Sequence, residues 1–422
     1  MLVDSNGEFY YNPYFNDTRD LSSYTSNITN SQNLLYYGSL WFFLSGSSQE
    51  LEFIFDTGSS WLWAGVSGCS GCPSSSTLNS DQYSPSSSSR SITYGSGTIS
   101  GYISNTTVSV TSSQSQAVTN MAMIAVNSAN LPGISSTTWD GILGLLPTTS
   151  SGSDLLVNEM KNQGVISDAV FSVYYTNSQT GSEITFGGYN TSRVPHFNNF
   201  TFTSLYTNSY WSTGFRRYKY GNTQYGGTAV RAVIDTGSSL FLMPTNDYNE
   251  WLSVISNGRT CFTISVYPAC HCPTAGAAEF DYIYVLLDNW EYRMDPQQYT
   301  QVIDYNGTQT WYFLIGAADK FSTPTTVLGD TFVRNYYIYH DMDNKRIGMY
   351  GDYMVYHESE DNYLWLIGLG IGVVIVIAAI IGVIFYLRYK RRRPAENQNN
   401  GQNDRYSDNT SAINTRQNNY KI

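Results

Sequence analysis

Histidine and positive charge are scarce in this chain. It has four His in 422 residues: His196, His271, His340 and His357. None stands in a nucleophile motif, and no His/Glu cluster has metal-ligand spacing, so neither a Ser-His-Asp hydrolase nor a His/Glu metal centre has support. His340 is read as packing near the end of a strand. Only 13 % of residues are charged, with 22 Lys and Arg against 33 Asp and Glu. A chain this poor in cations lacks the electrostatic footprint of a nucleic-acid binder. Helical periodicity is also rare, which excludes a helical bundle. The first 32 residues contain Asp4, Glu8, Asp17 and Asp20 but no apolar core, so they are not a secretion signal. A lumenal body needs one, and the expectation is that the true start lies upstream.

What the chain does have is Ser, Thr, Asn, Gly and Tyr in short apolar runs broken by turn residues. Such runs predict strands at Gly38–Leu44, Leu51–Phe55, Ile99–Val110, Met121–Val126, Ala169–Tyr175 and Glu183–Phe186. Two helices are expected. One is Asp154–Gln163, closed by Gly164; the other is Asn246–Ile255, entered through Pro244-Thr245 and closed near Gly258. The fold class is all-β.

One segment departs from this pattern. Leu364 to Leu387 is a run of 24 residues without a charge, long enough to cross a bilayer as a helix. Arg388, Lys390, Arg391, Arg392 and Arg393 follow it, which puts the tail in the cytoplasm and the body in the lumen or outside the cell. The formal net charge is −11, but the tail from Arg388 onward carries eight basic and three acidic residues, or +5. The body is therefore at −16, compatible with an acidic compartment. Sequons at Asn16, Asn27, Asn105, Asn190, Asn199 and Asn306 agree with a body that receives glycans. A further sequon at Asn409 lies past the spanning run.

The tetrapeptide Asp-Thr-Gly-Ser occurs twice, at Asp56–Ser59 and Asp235–Ser238. Each copy sits between apolar runs: Phe53-Ile54-Phe55 and Trp61-Leu62-Trp63 for the first, Ala232-Val233-Ile234 and Leu240-Phe241-Leu242 for the second. One copy alone reads as a β-turn in which Asp and Ser bond their own backbone. Two copies between apolar strands hold two carboxylates in poorly hydrated sites, where a pair can share one proton and activate a water. Each copy is followed at a distance by an apolar-apolar-Gly element, within Trp139–Leu145 and within Val327–Asp330. This order, met twice, predicts two related lobes with a boundary near Tyr189–Pro195.

On these motifs the chain closely resembles the pepsin-like aspartic endopeptidases, from about Leu34 to Gly351. Tyr94-Gly95-Ser96-Gly97 resembles the tip of the family's flap hairpin, and Trp63 the Trp whose indole bonds the flap Tyr. Phe171–Tyr174 and Phe186-Gly187-Gly188 resemble its interlobe segment; Asn335-Tyr336-Tyr337 and Asp341 resemble the strand that ends its second lobe. The resemblance implies a bilobal acid-protease fold with Asp56 and Asp235 as the catalytic pair across the lobe interface. Thr57 and Thr236 would tie the two loops together. Gly58 and Gly237 would allow the tight turns, and Ser59 and Ser238 would fix the outer carboxylate oxygens. Tyr94, Gly95 and Ser96 would close over a peptide. Activity is expected in acid, on peptide or protein substrates, with no cofactor and no metal, in a monomer.

The domain reading that follows has residues 1–33 as an N-terminal segment, with a prosegment remnant as one reading of it, then lobes at 34–190 and 191–351. A stem (352–363), a spanning helix (364–387) and a disordered cytoplasmic tail (388–422) complete it. The expected location is a single-pass membrane protein with its body in an endolysosomal or vacuolar lumen or at the cell surface.

The five Cys are odd in number. Cys69 and Cys72 fall where the family often has a small disulfide loop, and a Cys69–Cys72 bridge is expected. Cys261 is free to pair with Cys270 or Cys272. The family's second-lobe pair is spaced farther apart, and its late member, near Trp311–Phe313, has no Cys here. Family members also carry a basic prosegment, whereas residues 1–32 hold one Arg and no Lys. The rival function is a catalytically inactive cell-surface peptide-binding protein on the same fold. Its mark is a replaced Asp, Gly or flap Tyr, and all of these are intact.

Overall fold

A computed structural model describes residues 23–357, apart from 45, 73–75, 132–136, 266, 272–279 and 320, together with residues 2–3, 9–10 and 383. The chain divides into two units, Met1–Glu358 and Ser359–Ile422. All of the second but Val383 lies outside the described residues, and so do the expected spanning helix and tail. Among the described residues no helix is long and apolar enough to cross a membrane.

The first unit is mostly β. Its largest sheet has 13 strands, and sheets of nine and four strands follow from the second half of the chain. Strand pairing repeats the order legible in the sequence. In the first half, Gln49–Asp56 delivers Asp56 to its turn, and Leu62–Ser70 leaves it. Gly141–Gly144 lies between them, parallel to the entering strand with Gly144 opposite Asp56, and antiparallel to the leaving strand. In the second half, Thr325–Leu328 lies parallel to Arg231–Ile234 and antiparallel to Phe241–Met243. Glycine closes both inserted elements for a steric reason. A Cβ on Gly144 would sit 2.5 Å from Trp61 N, and one on Gly329 would sit 2.3 Å from the carbonyls of Ser238 and Leu240. No side chain fits where the two backbones meet this closely.

The two halves share the 13-stranded sheet. Val170–Tyr174 pairs with Tyr337–Asp341 from near the end of the body, and Thr201–Ser204 pairs with Arg346–Tyr350. Ser172 Oγ bonds Tyr337 OH at 2.9 Å across this junction. His340 is fully buried there, stacked on Phe171 with ring centroids 4.3 Å apart. Burial pushes its imidazole down to about 3, so it is neutral.

The helices are short and amphipathic. Leu156–Asn162 buries Leu156, Val157 and Met160, and Gly164 at φ +75° stops it. Thr245–Ile255 follows Pro244 and buries Trp251 and Ile255 one turn apart.

Two stretches belong to the body more closely than expected. Tyr24–Ser31, placed by the sequence in a separate N-terminal segment, is a strand between Ser182–Phe186 and Leu35–Phe42. Its alternation of buried Ser26, Ile28 and Asn30 with more exposed neighbours is that of a sheet strand with one covered face. Met354–Tyr356, expected in a free stem, pairs with Trp290–Tyr292. Of the Ser84–Tyr94 strand the sequence showed only the hairpin tip, because the serines before it carry no apolar alternation; the strand is held by pairing with Gly97–Ser109.

Candidate active site

Both Asp-Thr-Gly-Ser turns fold the same way, and each Asp is fixed by its own turn. Gly58 N donates to Asp56 Oδ1 at 2.8 Å and Ser59 Oγ to Oδ2 at 2.5 Å. Gly237 N donates to Asp235 Oδ1 at 3.0 Å and Ser238 Oγ to Oδ2 at 2.8 Å. These bonds set the plane of each carboxyl group.

The threonines tie the turns to each other. Thr57 N donates to Thr236 Oγ1 at 3.1 Å, and Thr236 N to Thr57 Oγ1 at 3.0 Å. Each hydroxyl then donates across the junction to the strand before the other Asp: Thr57 Oγ1 to Ile234 O at 2.9 Å, Thr236 Oγ1 to Phe55 O at 2.5 Å. Both threonines are buried, so these bonds are protected from water.

This lock brings the carboxyl groups face to face. A Cβ on Gly58 would lie 2.5 Å from Asp235 Oδ1, and one on Gly237 would lie 2.3 Å from Asp56 Oδ1. Each glycine is thus the floor on which the opposite carboxyl rests. Asp56 is buried while Asp235 is half-buried. Burial first, and then the charge of Asp235, push the Asp56 carboxyl up to about 7. Asp330, directly after Gly329, is a further buried carboxyl near the pair. Burial holds it well above the usual range, against the guanidinium of Arg334. The sequence reading quoted Asp330 only as the end of an apolar-Gly element; its place is set by tertiary packing.

A hairpin of Ser84–Tyr94 and Gly97–Ser109 stands over one wall, with Gly95-Ser96 as its turn. Trp63 Nε1 donates to Tyr94 OH at 2.8 Å. Trp63 itself is wholly buried against Trp139, with ring centroids 6.0 Å apart. Its indole is therefore fixed before Tyr94 meets it. Tyr94, Gly95 and Ser96 line the same cleft as Asp56 and Asp235, a space of about 800 Å³. Ile92, Leu146 and Phe321 give it apolar walls, and Arg90 adds a cation that the sequence reading missed.

Cys69 and Cys72 form a disulfide, and so do Cys261 and Cys270. Cys261 and Cys270 stand opposite each other in adjacent strands, which selects this partner of the two left open. Cys272 lies outside the described residues.

Two carboxyl groups held face to face at the junction of repeated β units, beside an apolar cleft with a hairpin over it, mark a hydrolase of the peptidase class. The chain belongs to the eukaryotic aspartyl proteases, whose family pattern matches residues 36–350. It is 30 % identical to pepsin A of Gallus gallus over 350 residues, covering 76 % of this chain and 85 % of that one. Gastricsin of Macaca fuscata fuscata is 28 % identical over 325 residues, covering 71 % and 80 %. Cathepsin D of Mus musculus is 28 % identical over 354 residues, covering 78 % and 83 %.

Proposed function

We propose that this protein is an aspartic endopeptidase in which Asp56 and Asp235 act as one catalytic pair. What supports the reading above all is the reciprocal packing of each turn glycine on the opposite carboxyl. Like charges this close do not ionise together, so one proton is retained between them. The ionised member takes a proton from a water, and the water oxygen attacks the scissile carbonyl carbon. The protonated member donates to the carbonyl oxygen. Collapse of the tetrahedral diol breaks the C–N bond, and the leaving nitrogen takes up a proton. No covalent enzyme intermediate forms.

The singly protonated pair is the working state, so activity belongs to acid and falls as the pair loses its last proton. With Asp56 held up to about 7, that fall reaches toward neutrality. Tyr94, held by Trp63, closes over an extended peptide, and the apolar walls favour cleavage between apolar residues. The two repeated halves act as two lobes. Leu364–Leu387 anchors the body, which works in an acidic lumen or outside the cell.

The test is peptide cleavage between pH 3 and 8 by the full chain, with Asp56→Asn and Asp235→Asn. Each variant is expected to lose at least ~10³-fold in kcat/KM. Wild-type rates in either variant would overturn the assignment. Resistance of the protein to alkaline extraction from membranes, lost on deleting residues 364–387, checks the anchor.

A further inference from the structure

Arg90 is the charged residue of the cleft that the mechanism leaves unused. It lies on the flap-forming strand Ser84–Tyr94, four residues before Tyr94. Among the described residues lining the cleft, Arg90 is the only cation; the other charged groups there are Asp56 and Asp235. Arg90 Nη2 donates to the carbonyl of Ser151 at 2.7 Å, across from the hairpin. Its guanidinium carbon lies 5.2 Å from the ring centroid of Trp61, a buried residue that itself lines the cleft. An indole face and one carbonyl hold the group in place without neutralising it. A guanidinium has five N–H donors, and one of them is used by this contact. Arg90 is also not among the groups that set the proton affinity of Asp56.

A fixed cation with spare donors in the wall of a peptide cleft is a receptor for a carboxylate. We propose that Arg90 determines substrate specificity by pairing with an aspartate or glutamate side chain of the bound peptide, on the side of the scissile bond served by Trp61. The proposal rests on the endopeptidase reading and adds a substrate class to it. The fork of a guanidinium matches a carboxylate in two parallel hydrogen bonds, which a Lys at the same position cannot reproduce. The body carries −16 overall, so its field repels acidic peptides at long range and the preference is local to Arg90. The preference must also depend on pH. A glutamate side chain ionises near 4.3, so the pairing is absent at pH 3 and complete by pH 5.5.

The experiment measures kcat/KM of the full chain on a series of quenched fluorescent peptides. Glu, Gln and Lys replace one another at each position flanking the cleaved bond, at pH 3.0 and 5.5. At one position Glu is expected to exceed Gln roughly 10-fold or more at pH 5.5, and the ratio is expected to approach one at pH 3.0. Arg90→Met is expected to bring the pH 5.5 Glu-to-Gln ratio to about one, and Arg90→Lys to retain part of the preference. A Glu-to-Gln ratio near one at every position and both pH values in the wild type overturns the proposal without needing a variant. So does Arg90→Met slowing Glu and Gln peptides equally, which would make Arg90 a tether for Ser151. Failure of the wild type to cut any peptide overturns this proposal together with the endopeptidase reading; cleavage with a flat ratio overturns this proposal alone.

Discussion

Replacing Asp56 by Asn should make the folded protein less sensitive to neutral pH. The wild-type carboxyl is buried, and burial with the neighbouring Asp235 raises it from an ordinary 3.8 to about 7. A carboxyl raised on folding binds its proton more tightly in the folded state than in the unfolded one. Its contribution is therefore most favourable below pH 3.8 and is lost progressively as pH rises toward about 7. At 1.36 kcal/mol for each tenfold change in proton affinity, the loss by pH 7 is on the order of 4 kcal/mol. Asparagine keeps the shape of the side chain and cannot ionise, so this loss is absent from the variant. Asp330 remains in both proteins, and its burial gives both a residual decline with pH. The assay is urea unfolding of the full chain, followed by tryptophan fluorescence at half-unit steps from pH 4 to 8. Between pH 4 and 7 the wild type is expected to lose about 3 kcal/mol more than Asp56→Asn. Parallel curves for the two proteins would refute the reasoning, because the buried carboxyl would then not be held protonated by its surroundings.

Other perturbations test the framework around the pair. Gly329→Ala puts a methyl 2.3 Å from two carbonyl oxygens and should cost at least ~3 kcal/mol in the same unfolding assay. Thr57→Val and Thr236→Val each remove a hydroxyl that receives one cross-turn bond and donates another. Each should cost about 1–3 kcal/mol, and the double variant less than the two losses together, because the hydroxyls belong to one network. Trp63→Phe leaves Tyr94 OH without its indole donor, and kcat/KM is expected to fall roughly tenfold with little change in fold by circular dichroism.

Much of the fold could be read in advance because its signals are local. Apolar runs between Gly, Ser and Asn marked six strands, and the structure shifts their ends by a few residues. Apolar periodicity and flanking Gly or Pro marked both helices. The serine-rich start of Ser84–Tyr94 was not legible: it has no alternation of its own, and its pairing partner makes it a strand. The ends of the body were misjudged for a related reason. Tyr24–Ser31 and Met354–Tyr356 look separable along the chain, but each fills the edge of a neighbour distant in sequence.

The sequence by itself picked out the two turns and the hairpin tip that meet in the cleft. Two copies of Asp-Thr-Gly-Ser between apolar strands are a local pattern, and so are Tyr-Gly-Ser-Gly and the two apolar-apolar-Gly elements. Each needs a tight turn or a close backbone approach that few other residues allow. Tertiary structure alone decided what those residues do to one another. The threonine lock, the seating of each carboxyl on the opposite glycine and the rise of Asp56 all depend on contacts across 177 to 181 residues of chain. It also put Asp330 beside the pair and Arg90 on Trp61 in the cleft wall. Proton affinity follows from burial and from neighbouring charge, and those exist only once the two halves have met.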